Sequence, residues 1–484
     1  MTTVAAILAS IADAPAGPST AAFFDLDGTI IEGYTVEAVY RDRMRHHDIG
    51  PGELGRTARA AVDMRFRGAP LDELVGVAFE ALAGRTEDEL SELGERVFRQ
   101  DVASRIYPQA RQLVHTHRKA GHQVVLATSA TPFQANPLAA DMSFDAVICT
   151  RPQVRAGTLT GDVDGDIPWG PGKARAIAAY ARRTGIRLAD SFAYSNGAED
   201  APMLKAVGRP RPLNPDPGLA DMAHMRGWPI TRLEPPRRGF ALVPALRTGA
   251  ALTALGTCTA LGAGVALLNR SRQAGANIGV GTGGDVALAL AGVTLNVTGE
   301  QNLWSDRPAV FMFNHQSGLD MLVLADLLRR DMTGVAKKEL ARDPRFAPFG
   351  RLTGIVYIDR VHTQNAREAL QPAVTKLRHG ISVAIAPEGT RSPTPTPGPF
   401  KKGGFHIAVQ AGVPIVPIVI RNTGELMWRN SPWMHPGTVD VAVLNPIPTT
   451  GWNEDDLNGH IADVRQRFLD TLGNWPGDIS VTCD

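Results

Sequence analysis

Residues 21–29 read Ala-Ala-Phe-Phe-Asp-Leu-Asp-Gly-Thr. The apolar residues predict a buried strand, and Asp25 and Asp27 follow at its end. In open α/β sheets ligands bind outside the carboxyl ends of the strands, and residues two apart project to the same side of an extended chain. Two adjacent carboxylates repel one another unless a cation lies between them, and oxygen ligands suit Mg²⁺. The stretch therefore predicts either a magnesium site or an acidic turn that caps the next helix.

Further apolar runs lie downstream and alternate with helical patterns. They occupy residues 122–129, 144–150 and 191–196. This alternation predicts βαβ units and a mainly parallel, Rossmann-like sheet. Residues of about 32–110 carry helical patterns without a strong strand pattern, which predicts a helical insertion after the first strand.

Three later segments accompany the first one in a fixed order. Thr128 ends the second strand, Lys173 lies in Gly-Pro-Gly-Lys-Ala at 170–174, and residues 195–200 read Ser-Asn-Gly-Ala-Glu-Asp. Together with Asp-Leu-Asp-Gly-Thr, and with Asn-Pro-Asp at 214–216, they resemble the haloacid dehalogenase superfamily of phosphohydrolases in its phosphoserine-phosphatase-like branch. The resemblance covers about residues 20–235, so we predict a phosphatase domain at 1–235 whose helical insertion forms the cap.

The resemblance implies a role for each matching residue. Asp25 would attack phosphorus, Asp27 would protonate the leaving oxygen, and Thr128 and Lys173 would bind the phosphoryl group. A Mg²⁺ cofactor is implied, with four candidate ligands: Asp25, Asp27, Asn196 and Asp200. Asn196 departs from the family pattern, which has an aspartate there.

A Pro- and Arg-rich break at 234–239 ends this domain and begins a segment that we predict to associate with membranes, at 236–299. Residues 248–268 contain no charge and would form a helix about 31 Å long. Its glycines and threonines favour a helix in the bilayer interface, with a membrane span and a buried soluble helix as alternatives. A second apolar run at 286–297 would complete a helical hairpin, and Gly279, Gly281 and Gly284 predict a flexible turn rather than a dinucleotide site.

A second α/β domain is predicted at 300–484, with strands at 309–314, 354–359, 382–387, 414–420 and 439–444. His315 and Asp320 follow the first of these strands. Five helical positions would separate their side chains by about 140°, so His315 must precede the helix. A capping box from Ser317 to Asp320 would start the helix near Gly318 and direct Asp320 back towards His315.

Four segments of this domain resemble the 1-acylglycerol-3-phosphate acyltransferases. After Asn-His-Gln-Ser-Gly-Leu-Asp at 314–320 they are Gly-Ile-Val-Tyr-Ile-Asp-Arg at 354–360, Pro-Glu-Gly-Thr-Arg at 387–391 and Val-Pro-Ile-Val-Pro at 413–417. The resemblance implies that His315, oriented by Asp320, deprotonates the acceptor hydroxyl, and it requires no metal in this half. The implied substrate-binding residues are Lys337, Arg360, Glu388, Gly389, Thr390 and Arg391, with Glu388 orienting Arg391 or the acceptor glycerol.

Composition limits the partners. Fifty basic and 49 acidic residues give a formal charge of +1, so we expect no nucleic-acid partner, and three separated cysteines indicate a reducing compartment. We therefore expect a bifunctional enzyme at the cytoplasmic face of the membrane, peripheral or monotopic. Its substrates would be lysophosphatidate and an acyl thioester, from acyl-CoA or acyl carrier protein. Two alternatives stay open: an active acyltransferase with a structural or regulatory phosphate-binding module, and a membrane scaffold without catalysis.

Overall fold

The computed structural model describes residues 2–50, 52, 53, 55, 56, 59, 79–237, 240–343, 346–358, 366–453 and 455–476. The chain forms two compact units, Met1–Pro236 and Arg237–Asp484. The predicted insertion at 32–110 lies partly outside the described residues, and Arg360 lies wholly outside them.

The first unit is built on a parallel sheet with the strand order β3-β2-β1-β6-β7. Its strands are β1 (Ala21–Phe24), β2 (Gln123–Ala127), β3 (Ala146–Ile148), β6 (Phe192–Ser195) and β7 (Arg209–Pro212), and β4 (Arg151–Arg155) and β5 (Thr158–Asp164) form a separate antiparallel pair. The predicted parallel α/β architecture is confirmed. β7 was not predicted because its sequence, Arg-Pro-Arg-Pro, lacks an apolar pattern, and an edge strand tolerates proline.

Helices surround this sheet. They are α1 (Val4–Ala12), α2 (Thr35–Arg45), α3 (Glu87–Gln100), α4 (Pro108–Lys119), α5 (Pro132–Asp141), α6 (Pro171–Thr184), α7 (Ala201–Ala206) and α8 (Pro217–Arg226). α2 and α3 belong to the insertion between β1 and β2. A Cβ atom on Gly94 of α3 would lie 1.9 Å from the Phe133 carbonyl oxygen at the start of α5, so this close approach requires glycine.

The second unit contains a seven-stranded mixed sheet of order β11-β10-β12-β9-β13-β14-β8. Its strands are β8 (Val293–Thr298), β9 (Val310–Phe313), β10 (Met332–Lys337), β11 (Val356–Ile358), β12 (Ser382–Ile385), β13 (Ile415–Ile420) and β14 (Gly437–Val443). Only the β13–β14 pairing is antiparallel among these described strands. The carboxyl ends of β9, β10, β12 and β13 therefore lie at one edge of the sheet.

The helices of this unit are α9 (Leu242–Leu268), α10 (Arg272–Ala291), α11 (Asp320–Leu328), α12 (Ala347–Thr353), α13 (Ala366–Arg378), α14 (Gly403–Ala411), α15 (Thr423–Leu426) and α16 (Leu457–Gly473). One hydrophobic core joins Phe311 of β9 and Leu324 of α11 to Ala287 of α10. A second core joins Val310 of β9 to Phe405 of α14 and Phe468 of α16. Helices thus cover both faces of the sheet.

The predicted hairpin is confirmed as α9 and α10, but its second helix differs from the prediction. Helix α10 begins at Arg272, and the run at 286–297 is divided by Gly292, a left-handed C-cap with φ 74°, into the end of α10 and the strand β8. The three glycines of the expected flexible turn lie inside α10 and are buried. A Cβ on Gly275 would lie 2.2 Å from the Gly262 carbonyl oxygen, so small residues let the two helix backbones touch.

Candidate active sites

The first site lies at the carboxyl ends of three adjacent strands. Asp25 follows β1, Thr128 follows β2, and Asn196 follows β6. Thr128 is buried, and its hydroxyl oxygen accepts a hydrogen bond from the Ala130 N–H at 3.1 Å. Parallel pairing of β1 with both neighbours brings the three residues to one edge, as the sequence predicted.

A buried ion-pair network is the centre of this site. Lys173, from the first turn of α6, places Nζ 2.8 Å from Asp25 Oδ1 and 2.6 Å from Asp200 Oδ2. Burial alone would lower the pKa of Lys173, but Asp25 and Asp200 outweigh it and the pKa is raised. The lysine is therefore a permanent cation beside the predicted nucleophile, where it can neutralise an anionic substrate group.

Asp27 is oriented differently from Asp25. Its carboxylate accepts hydrogen bonds from the Thr35 N–H at 2.7 Å and the Thr35 hydroxyl at 3.2 Å. Burial, followed by the charge of Asp25, raises the pKa of Asp27 to about 7. An acid with this pKa holds a proton near neutral pH, as donation to a leaving group requires. The Asp27 side chain is thus bonded to the start of α2.

The Thr29 hydroxyl contacts two of the predicted Mg²⁺ ligands, Asp25 and Asn196. The sequence analysis assigned Thr29 no role. Its hydroxyl lies 3.2 Å from Asp25 Oδ2 and 3.1 Å from Asn196 Oδ1. A Cβ on Gly28 (φ 73°) would lie 2.2 Å from Asn196 Nδ2, so the glycine after Asp27 makes room for the amide. Asp25 and Asn196 therefore both contact the same hydroxyl.

The residues present suit Mg²⁺ by donor chemistry. Among the described residues no group of three or more His, Cys, Asp or Glu side chains is placed to hold a metal. Asp25 Oδ2 and the Asn196 amide oxygen nonetheless both contact the Thr29 hydroxyl, and oxygen donors are those a hard cation prefers. Asp200 Oδ1 is buried without a hydrogen-bond partner in the described structure, while Oδ2 is occupied by Lys173 and the Ser195 hydroxyl. By donor type, Asp25, Asn196 and Asp200 are the side chains that would hold the ion.

The second site is formed where β9 ends and α11 begins. His315 Nδ1 lies 2.7 Å from Asp320 Oδ2. The same carboxylate oxygen accepts hydrogen bonds from the N–H groups of Gln316 at 2.8 Å and Ser317 at 2.9 Å. Asp320 thus reaches back across the loop as predicted, and its bond to Nδ1 leaves Nε2 of the ring for a substrate proton.

The start of α11 differs in detail from the predicted capping box. Helix α11 begins at Asp320, two residues after Gly318. The Ser317 hydroxyl accepts from the Leu319 N–H and donates to the Met427 carbonyl, whereas a capping box would place it on the Asp320 N–H. Only the returning bond from the Ser317 N–H to Asp320 is formed.

Glu388 has a different role from the predicted one. Its Oε1 accepts the His315 N–H at 2.8 Å, and its Oε2 accepts the Gly398 N–H at 2.8 Å and the Ser392 hydroxyl. The Arg391 guanidinium donates instead to the Arg429 carbonyl. Of the two expected roles of Glu388, direct orientation of Arg391 is therefore not seen, and orientation of the acceptor glycerol stays a prediction. The contacts that are seen join the backbone of the His315 loop to the loop after Arg391.

The predicted anion-binding residues lie nearer the surface. Thr390 and Arg391 are exposed, Gly389 has φ 75°, and Lys337 is exposed at the end of β10. Because β10 is parallel to β9 in the same sheet, Lys337 lies at the same sheet edge as His315. The structure brings together His315, Asp320 and Glu388 by direct contacts, and it places Arg391 in the loop that Glu388 anchors.

Comparison with known proteins assigns both units. Residues 22–205 match the haloacid dehalogenase-like hydrolase family, and residues 294–421 match the acyltransferase family. The 1-acyl-sn-glycerol-3-phosphate acyltransferase of Saccharomyces cerevisiae is 35% identical over 186 residues, 38% of this chain and 61% of that relative. The chain is a haloacid dehalogenase-like hydrolase domain fused to an acyltransferase domain. It spans about three fifths of the length of that acyltransferase.

Two further similarities each cover about half of the chain. The inhibition of morphological differentiation protein of Streptomyces azureus is 33% identical over 265 residues, 53% of this chain and 95% of that relative, so this chain belongs to its family. The crystal structure of the 1-acyl-sn-glycerophosphate acyltransferase of Thermotoga maritima is 26% identical with a TM-score of 0.39, covering 47% of this chain and 97% of that one.

Proposed function

We propose that the acyltransferase domain transfers an acyl group from acyl-CoA or acyl carrier protein to 1-acylglycerol-3-phosphate, giving phosphatidate. The observation that carries the proposal is the 2.7 Å contact between His315 Nδ1 and Asp320 Oδ2. A glycerol hydroxyl is a weak nucleophile and needs a base at the moment of attack. A neutral imidazole whose tautomer is fixed by a buried carboxylate supplies that base.

One nitrogen of the His315 ring accepts the proton and later returns it. His315 Nε2 takes the hydroxyl proton as the oxygen attacks the thioester carbonyl. The carbon–sulfur bond breaks when the tetrahedral intermediate collapses, and the imidazolium returns its proton to the departing thiolate. Glu388 does not take part in proton transfer in this scheme; it holds the His315 N–H and so fixes where the ring stands.

The acceptor phosphate requires cations near the same sheet edge. Arg391 offers a permanently charged planar fork, and Lys337 and Arg360 are proposed as supporting charges. Gly389 and Thr390 complete the proposed binding segment. Thr390 and Arg391 are both exposed, which supports binding of a large, membrane-borne substrate from outside the protein.

We place the enzyme at the cytoplasmic membrane surface through the α9–α10 hairpin. Among the described residues, α9 is the one helix long and apolar enough to cross a membrane by length and composition, and its most apolar stretch is only 17% buried. Leu252, Leu261, Leu267 and Leu268 are between 57% and 85% exposed. Because half of the residues of α10 are buried, a peripheral or monotopic arrangement in the interface accounts for both helices.

For the hydrolase domain we propose Mg²⁺-dependent hydrolysis of a phosphomonoester. Asp25 attacks phosphorus, Asp27 protonates the leaving oxygen, and the aspartyl-phosphate is then hydrolysed by water. Lys173 and Thr128 bind the phosphoryl oxygens, and Mg²⁺ bound by Asp25, Asn196 and Asp200 would supply further positive charge. The neutral Asn196 favours a second candidate for this domain, a weakly catalytic phosphate-binding module that regulates or supports the acyltransferase.

Two assays on the purified full chain test these proposals. With 1-oleoylglycerol-3-phosphate and oleoyl-CoA in mixed micelles, His315→Ala should abolish phosphatidate formation, whereas His379→Ala, at an exposed position, should not. Near-normal turnover of His315→Ala would reject the mechanism. With Mg²⁺ and a panel of phosphomonoesters, any hydrolysis should disappear in Asp25→Asn, and a wild type inactive on the whole panel favours the phosphate-binding module.

A further inference from the structure

The Asp320 carboxylate receives a hydrogen bond from outside the histidine motif. The Thr423 hydroxyl, at the first position of α15, donates to Asp320 Oδ1. Both residues have no exposed surface. We propose that Thr423 is a positioning residue for acyl transfer, which fixes Asp320 and through it the tautomer and orientation of His315. The proposal rests on the proposed acyltransferase function and adds a residue to it.

The two oxygens of Asp320 are held from opposite directions. Oδ2 takes its three hydrogen bonds from consecutive residues, the His315 ring and the Gln316 and Ser317 N–H groups. Oδ1 takes its bond from Thr423, more than a hundred positions along the chain. Without that second support the carboxylate could turn about its Cβ–Cγ bond, and a buried oxygen would lose its partner.

The position of Thr423 is itself fixed relative to His315. Adjacent strands β9 and β13 lead into the two segments. The Asn314 side chain bonds both the N–H and the carbonyl of Ile420, each at 2.7 Å, and Gln316 Nε2 donates to the same carbonyl at 2.7 Å. These hydrogen bonds join the end of β13 to the histidine loop. They therefore fix the position of the Thr423 hydroxyl relative to Asp320.

The decisive test compares the hydroxyl with its isosteric replacement in the full chain. Thr423→Val should lower kcat for acyl transfer roughly tenfold or more, because a hydrogen bond to a charged group is lost, with KM for both substrates little changed. Thr423→Ser keeps the hydroxyl and should restore most of kcat, while Thr423→Ala should be as slow as Thr423→Val. The control is Thr333→Val, a buried threonine whose hydroxyl donates to the Gly354 carbonyl at 3.0 Å, and its kcat should match the wild type.

Each outcome decides the proposal. A kcat of Thr423→Val near that of the wild type overturns it, and so does a Thr423→Ser variant as slow as Thr423→Ala, since the hydroxyl would then be irrelevant. Equal losses in Thr423→Val and Thr333→Val would show a general packing effect and also overturn it. If Thr423→Val does not fold, the Ser and Ala pair still gives the comparison. A wild type without acyl transfer rejects the proposed function itself, which is a distinct result.

Discussion

The Asp27 carboxylate accepts hydrogen bonds from both the N–H and the hydroxyl of Thr35, so the predicted general acid of the hydrolase domain is bonded to the first residue of α2. The same threonine hydroxyl accepts from Gln134 Nε2 at 3.2 Å. The acid is therefore joined directly to the helical insertion that we predict to form the cap. A motion of α2 would change the surroundings of this acid, which gives the insertion a chemical as well as a steric role.

The raised pKa of Asp27 predicts a stability that depends on pH. The folded state has a pKa of about 7 against an ordinary value of 3.8, so folding retains a proton that the unfolded chain releases between these pH values. Stability from this group is therefore lost as the pH rises from about 4 to about 7. Asp27→Asn should raise the free energy of unfolding of the hydrolase domain at pH 8 by on the order of 1–2 kcal/mol after allowance for partial exposure.

Thermal unfolding at pH 5 and pH 8 checks this expectation. The stabilisation by Asp27→Asn should be larger at pH 8, and the variant should at the same time lose phosphomonoester hydrolysis. Asp166→Asn is the control, because this aspartate is exposed and paired with Arg175 on the surface. Equal effects of Asp27→Asn at the two pH values would show that Asp27 is ionised throughout.

Replacing the carboxylate of the acyltransferase dyad should be nearly as damaging as replacing its histidine. Asp320→Asn substitutes an NH₂ group for one of two oxygens that together accept four hydrogen bonds. We expect kcat to fall by about 10⁴-fold, the loss produced when the equivalent carboxylate of a catalytic triad becomes an amide. Initial-rate kinetics measure it, with Asp440→Asn, whose side chain bonds Asn296 at an exposed position, as the control. Retention of a tenth of the wild-type kcat would contradict the role of Asp320.

The exposed leucines of α9 should determine membrane binding. Replacing Leu252, Leu261, Leu267 and Leu268 together by Ser should weaken cosedimentation with phosphatidylcholine–phosphatidylglycerol vesicles at least tenfold, since each buried leucine typically contributes about 1.5–3 kcal/mol. Leu255 is left unchanged because it packs against the core of the acyltransferase domain. Met225→Ser, at an 81% exposed methionine of the other unit, is the control. Unchanged sedimentation would remove the membrane role from this helix.

The sequence was most informative where function and local pattern coincide. Asp25, Lys173, His315 and Asp320 lie in short motifs whose neighbours determine the turn that presents them, and their contacts agree with that reading. Apolar runs such as Val310–Phe313 were recognised as strands because they are buried on both faces. The division of the run at 286–297 was missed, although Gly292 is the residue type that ends helices in the left-handed conformation.

Long-range polar contacts could not be read from the sequence. Glu388 was expected to orient Arg391 or the acceptor glycerol, yet its hydrogen bonds are to His315, Ser392 and Gly398. Gly398 belongs to a Pro- and Thr-rich loop that carries no pattern. Thr423 likewise follows a strand without any motif, and its role depends on the pairing of β13 with β9. Such contacts require the register of the sheet, which apolar periodicity does not supply.

Asn196 is the neutral member of the proposed Mg²⁺ site in the hydrolase domain, and its replacement by aspartate should strengthen Mg²⁺ binding. Asn196 Oδ1 shares the Thr29 hydroxyl with Asp25 Oδ2, so Asn196→Asp places a second anionic oxygen beside the first without a change of shape. Each anionic ligand strengthens binding of a hard divalent cation, and we expect the Mg²⁺ dissociation constant to fall roughly tenfold, with faster hydrolysis.

The same substitution should make stability depend on the ion. Without Mg²⁺ the added charge repels Asp25 and Asp200, which already share the single positive charge of Lys173, so Asn196→Asp should unfold at a lower temperature than the wild type. With saturating Mg²⁺ the order should reverse, because a ligand that binds only the folded state stabilises it in proportion to its affinity. Calorimetric titration measures the Mg²⁺ affinity, and thermal unfolding with and without Mg²⁺ measures the stability. Asn214→Asp is not a suitable control, because the Asn214 amide oxygen accepts a hydrogen bond from the Leu233 N–H. If Asn196→Asp binds Mg²⁺ no more tightly while the wild type hydrolyses briskly, the ion is held by other groups and Asn196 is not one of its ligands.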